Sequence, residues 1–187
     1  MKPHAPDRPV GFKYLYIPYD GQPHSPSGDA WDERGVIVAK CRQIKVGKPP
    51  HPFCGTMPNE NCGCGIYGAF DLSLCNQHDG WYHALFLIEG FGKCIISQNG
   101  FRAEIARIIA IVRTSWCVVN YNEITVYPTL PRISLDAALV AIHEYRAQWL
   151  AMDDESKQSA NIGQTVSERR AIKAIPRTPC SMVKSDQ

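Results

Sequence analysis

Residues 83–112 read HALFLIEGFGKCIISQNGFRAEIARIIAIV, and the fold turns on how they are read. His83 to Glu89 is apolar and too short for a buried helix, so it reads as a strand. Gly90-Phe91-Gly92 interrupts it as a bulge or tight bend, and Lys93 to Ser97 resumes the strand pattern. Gln98-Asn99-Gly100 signals a hairpin, because Asn-Gly accepts the positive φ values of a type I′ turn. After it two periods compete. Phe101, Ile105, Ile108, Ile109 and Val112 fit one helical face. The turn and the β-branched run 108–112 favour a strand, with room for a bulge, and strand is the reading adopted for 101–112.

Working outward, Val10 to Ile17 is aromatic and β-branched with rough alternation, a strand. Pro18 to Ala30 is dense in Pro, Gly, Ser and Asp, a loop. Trp31 leads through a polar turn, Asp32 to Gly35, into a second strand, Val36 to Cys41. A short strand is expected at Gly65 to Phe70, a polar loop over Asp71 to Trp81, and two further strands at Ser115 to Val119 and Ile124 to Tyr127. Thr129-Leu130-Pro131 should close the β region. Ser134 is a good N-cap with Asp136 in the first turn. Leu135, Ala138, Leu139, Ile142, Tyr145 and Trp149 then form one apolar stripe of a helix over 134–150. His143 and Glu144 lie off that stripe and read as a solvated face. Residues 1–9 read as a flexible arm, 10–150 as one β-rich domain, and 151–187 as a polar tail in which Ser167 to Ala174 has the pattern of a short basic helix. The expected class is α+β, mainly β: a small antiparallel sheet or partly open barrel with a Cys/His zinc loop and one C-terminal amphipathic helix.

Composition limits the function classes. The 187 residues are 44% hydrophobic and 20% charged with a net charge of +2, too little to imply a polyanionic partner by itself. No apolar run approaches the about 20 residues of a membrane helix, so no membrane association is expected. The first residues lack the apolar core of a signal peptide, so the expected location is cytoplasmic. In that reducing compartment the 8 cysteines read as buried thiols or metal ligands before disulfides.

The one stretch whose side chains suggest chemistry is His51 to Phe70, HPFCGTMPNENCGCGIYGAF. Zinc takes thiolate and imidazole in a tetrahedron. Cys62 and Cys64 flank Gly63, whose backbone freedom lets both sulfurs turn one way. Cys41, His51 and Cys54 are within reach for the remaining positions, with Cys75 and His78 as a reserve pair. The competing reading is a Gly-rich turn with small buried thiols. A structural zinc site is expected rather than a catalytic one: Glu60 is the only carboxylate inside the loop, and the zinc-deaminase and Cys-x-x-Cys signatures are absent.

Lys40, Arg42, Lys45 and Lys48 form a cationic run with no acid among them. It is either a lysine-protected strand edge or a phosphate-facing patch beside the cysteines. Tyr14, Tyr16, Trp31, Tyr67 and Trp81 are candidates for stacking on bases, with core packing as the alternative. His83, Glu89, Arg102 and Glu104 are the candidate lining of a β cavity; strand-end polar groups and a cross-strand ion pair explain them as well.

The ordered set Ser25-Pro26, Trp31, Ala39-Lys40-Cys41, His51, CGCGIYGAF and GFGKCIISQNGFRAEIA resembles a group of small uncharacterised bacterial and phage-borne domains. These carry a Cys…His…Cys-x-Cys-Gly-Ile-Tyr-Ala element and a hairpin ending in Gly-Tyr-Arg-Ala-Glu. The likeness spans roughly residues 10–113. It implies a strand at Arg102-Ala103-Glu104 and metal ligands Cys41, His51, Cys62 and Cys64, leaving Cys54 as an extra. The chain departs from the group by an insertion between His51 and Cys62, by Gly68 in place of Ala, and by its longer C-terminal helix and tail. The resemblance assigns no activity.

Three functions are therefore in play. The preferred one is a zinc-stabilised, non-catalytic module that binds a macromolecular partner, nucleic acid or protein. The alternative is a small enzyme acting on a nucleotide or metabolite in the β cavity. The third is a phage or mobile-element accessory protein that masks a host component. No convergent acid, base and nucleophile is legible, which favours binding over catalysis.

Overall fold

The computed structural model describes residues 8–18, 22–25, 28–41, 57–59, 63–75, 83–113, 127 and 129–152. Its described strands are β1 (Val10–Tyr16), β2 (Val36–Val38), β3 (Ile66–Ala69), β4 (His83–Ser97), β5 (Gly100–Arg113) and β6 (Arg132–Ser134), followed by helix α1 (Leu135–Ala151). The class is α+β, mainly β, as expected.

The β4–β5 hairpin is the frame. β4 pairs with β5 from Leu85↔Val112 to Ser97↔Gly100, and on its other side with β1 from Val10↔Glu89 to Tyr16↔His83. β3 pairs with the start of β5, Ile66↔Ala103 to Ala69↔Gly100, and touches β1 at Phe12↔Ala69. The strands β1, β4, β5 and β3 therefore curl back on themselves in a ring-like sheet that stops short of a clear barrel.

The outer edge of β5 is occupied in series. β3 lies against 100–103, β2 against 105–107 and β6, running parallel, against 111–113. β6 was not expected; Arg132-Ile133-Ser134 is too short to show a period. It delivers the chain to Ser134, whose hydroxyl accepts from Ala137 N–H at 3.1 Å and caps α1 as foreseen.

Two irregularities shape the hairpin. Of the bulge or tight bend expected at residues 90–92, the structure has the bulge, and β4 runs on through it. Gly92 sits at φ +67°, and the N–H of Lys93 is taken by Glu104 Oε2 at 3.3 Å. On β5 an extra residue, Ile109, falls between the partners of Leu87 and Ile88, which rotates the faces so that both ends of the strand bury side chains. The turn itself departs from the expected type I′ geometry, because Gln98 and Asn99 both keep negative φ. Gly100 is already strand. A Cβ there would overlap the Gly68 carbonyl oxygen, so the glycine serves the close approach of β3 and β5.

The core forms inside this curl. Phe12, Leu15, Trp31, Leu85, Phe86, Leu87, Ile88, Ile108 and Ile111 are fully buried. α1 covers it with Ala138, Ile142 and Tyr145, flanked by the half-buried Leu135, Leu139 and Trp149, which is the stripe read from the sequence. Phe70 stands between Phe101 and Tyr145, with ring centroids 6.2 and 5.8 Å away, and links helix to sheet. His143 and Glu144 are exposed. No helix among the described residues is long and apolar enough to cross a membrane.

Candidate functional site: a cysteine corner and an open hairpin

The edge order on β5 explains how two distant cysteines meet. Ala39 N–H bonds to Glu104 O at 2.7 Å, and Ile66 pairs with Ala103 one residue along. The chain thus leaves this edge at Cys41 and returns to it at Cys64. Both thiols are buried and reduced, and they share one small cluster against Met57. Gly65, at φ +122°, turns the chain from Cys64 into β3. The guanidinium of Arg102 donates to Cys64 O at 3.4 Å and to Asn59 O at 3.3 Å, pinning the corner to β5.

Two of the four expected ligands therefore converge, and two thiolates suit zinc. His51, Cys54, Cys62 and His78 lie outside the described residues. Among the described residues no group of three or more His, Cys, Asp or Glu gathers into a metal site. Cys75 belongs to the main core, and burial pushes its thiol up from 9.0 to about 12. Cys94 is also a core residue.

Of the cationic run, Lys40 is exposed and stands 3.7 Å from Asp29; Arg42, Lys45 and Lys48 lie outside the described residues. Of the proposed stacking aromatics, Trp31 is wholly buried, with its indole N–H on Ser25 Oγ at 3.2 Å. Tyr67 is half exposed beneath the Arg102 guanidinium, 5.9 Å from its ring centroid.

The candidate β cavity is not assembled by the residues that were to line it. Alternation along β5 puts Arg102 and Glu104 on one face and Arg107 on the other. Glu89, paired in register with Arg107, follows it. Its carboxylate is buried between Arg107 Nη2 at 2.7 Å and Arg8 Nη1 at 3.9 Å. Both guanidiniums also lie over Phe91, Arg8 at 4.7 Å and Arg107 at 5.1 Å from the ring centroid. Glu104 secures the Gly92 bulge. His83 closes the β1 pairing opposite Tyr16.

What the sequence did not reveal is a groove beside β2. Asp32 organises the turn that leads into the strand. Its N–H bonds to Val36 O at 2.9 Å and its Oδ1 accepts from Val36 N–H at 2.8 Å, while Arg34 folds back onto Oδ2 at 2.8 Å. Beyond that closed end the two arms of this hairpin, 29–32 and 36–40, do not pair. The first arm is held elsewhere, by Trp31 N–H on Pro23 O, Ser25 N–H on Asp29 O and Gln22 Nε2 on Trp31 O at 2.7 Å. A groove of about 630 Å³ lies between them, lined by Ala30, Val36, Val38, Lys40, Glu104 and Ile105 among others. The polar turn Asp32–Gly35 predicted a reversal; nothing in its residues predicted that the arms would splay. No family model, curated protein or solved structure matches the chain.

Proposed function

We propose that the protein is a non-catalytic binding module for a macromolecular partner, nucleic acid or protein, with a zinc-stabilised loop at its binding side. One observation carries the reading. The described groove is mostly apolar, has no acid–base–nucleophile set, and its lining runs along the chain to Lys40, the residue before Cys41 of the cysteine cluster. In this reading Cys41 and Cys64 supply two thiolates, and the intervening stretch supplies the remaining ligands, His51 and Cys62, with Cys54 as the substitute. The ion would tie Cys41 to Cys64 and so hold the two ends of the stretch whose sequence carries Arg42, Lys45 and Lys48.

The enzyme reading would require His83, Glu89, Arg102 and Glu104 around one substrate. Glu89 is neutralised by arginines on the face opposite Arg102 and Glu104, so no specific observation favours it.

The test uses the full chain purified with zinc. Labelled single- and double-stranded DNA and RNA at low salt, and a capped-peptide array, are offered to zinc-loaded and chelated protein. Saturable binding to one class, weakened by chelation, is expected. Folded, zinc-loaded protein that binds neither class overturns the proposal.

A further inference from the structure

The two arms of the open hairpin expose backbone groups of a particular kind. In the β2–β5 ladder, Gly35, Ile37 and Ala39 are the residues that face β5: Ile108 N–H bonds to Gly35 O, and Ala39 N–H to Glu104 O. Val36 and Val38, out of phase with them, turn their N–H and C=O the other way. Val36 is satisfied by Asp32. Val38 is not: among the described residues no hydrogen bond reaches its N–H or C=O, and the residue is 55% exposed.

The opposite arm has the same property. His24 and Ala30 are bridged through their neighbours, Trp31 N–H to Pro23 O and Ser25 N–H to Asp29 O. In such a pair the backbone groups of the bridged residues point apart. Those of His24 bond to Tyr16, at 2.9 and 2.8 Å. Those of Ala30 therefore point away from His24, and no bond from the described residues meets them. The groove thus has a strand edge on each side, each offering one N–H and one C=O.

We infer that this groove accepts an extended segment of another polypeptide, which adds to β2 as a strand. The inference rests on the binding-module reading and narrows its partner to protein. A strand sends successive peptide units to opposite sides, so one residue of the partner would exchange hydrogen bonds with Val38 and the next with Ala30. Apolar partner side chains would meet Val36, Val38 and Ile105. The Lys40–Asp29 contact at 3.7 Å spans the open end; Lys40 is 77% exposed, and such pairs are worth about 0–1 kcal/mol, so it opens easily. The preferred segment is therefore extended and apolar at alternate positions. A nucleic acid strand offers no row of amide groups to match Val38 and Ala30.

The probe is a capped hexapeptide alternating valine with threonine, beside the same peptide with N-methylated amides, which cannot donate to a strand edge. Both are titrated into the full chain while backbone amides are followed by NMR. The expected result is that the unmethylated peptide shifts the Val38 and Ala30 amides first and binds at least 10-fold tighter than the methylated one. Val38→Pro removes an outward N–H at an edge position where proline is tolerated, and should weaken binding at least 10-fold with the melting temperature little changed. Equal binding by Val38→Pro, or shifts confined to another surface, overturns the inference. Nucleic-acid binding with no peptide response overturns it and leaves the module reading standing; binding of neither overturns both.

Discussion

The two described hairpins of the sheet make opposite use of their polar groups. In the β4–β5 hairpin the polar groups at the bulge and at Glu89 are met within the fold. The carboxylate of Glu89 is met by two arginines, and the bulge N–H at Lys93 is met by Glu104. In the hairpin over residues 29–40 only the turn is closed, by Asp32, and the arms part with Ala30 and Val38 facing a groove. A buried sheet must satisfy its hydrogen bonds to be stable, whereas a surface that binds must leave some for a partner. In the proposed reading, the contrast separates the part of the molecule that holds the fold from the part left for a partner.

That contrast can be broken in several places. The largest effect should come from emptying the closed hairpin. Phe86 is fully buried, so Phe86→Ala should cost about 3–5 kcal/mol and leave little folded protein in a denaturant titration. A cost under about 1 kcal/mol would mean that the β4–β5 core is not where stability resides. Glu89→Gln should cost about 1–3 kcal/mol, since it removes the charge that holds Arg107 and Arg8 over Phe91. An unchanged midpoint would show the trio to be a solvated network instead. Gly92→Ala forces a side chain into positive φ, 2.7 Å from Glu104 Oε2, and should cost about 1–3 kcal/mol; a neutral outcome would place the bulge elsewhere.

A smaller effect is set by pH. Burial, only partly offset by Lys13, raises the Cys75 thiol from 9.0 to about 12. The unfolded chain loses this proton near 9 and the folded protein keeps it to about 12. The Cys75 contribution to stability should therefore be complete below pH 9 and decline as pH rises through that window. Cys75→Ala should flatten this alkaline decline; an identical slope in the variant would remove Cys75 as its source. The gentlest probe changes no residue. Amide hydrogen exchange should find Ile37, bonded to β5, protected, and Val38 and Ala30 close to unprotected. Protection of Val38 equal to that of Ile37 would mean that the groove is filled by the chain itself.

How far the sequence reached differs along the chain, for physical reasons. The long hairpin, the choice of strand over helix at 101–112 and the helix with its Ser134 cap were legible, because each rests on a run of residues with one period or on a specific capping side chain. The turn type was not. Asn99-Gly100 carries a local signal, but tertiary packing of Gly100 against Gly68 decided its backbone. β6 was missed because three residues carry no period. Of the two readings of Trp31, stacking or core, the structure has core; what buries it, the bridges that hold 22–25 and 28–31 beside β1, could not be read locally. The expectation that Cys41 and Cys64 converge was reachable from the strand-then-loop order. The groove was not, since it depends on two arms that are both strand-like and yet stay apart.

The central claim is that the cysteine corner is a metal-held anchor beside a binding groove. Zinc per chain, measured by elemental analysis on purified protein under reducing conditions, tests it most directly, with Cys41→Ser, Cys64→Ser and, as a core control, Cys94→Ser. About one zinc in the wild type and in Cys94→Ser, lost in the other two, is the result the account predicts. No zinc in the wild type, or zinc retained when Cys41 and Cys64 are both replaced, would contradict it and return the two thiols to the apolar interior.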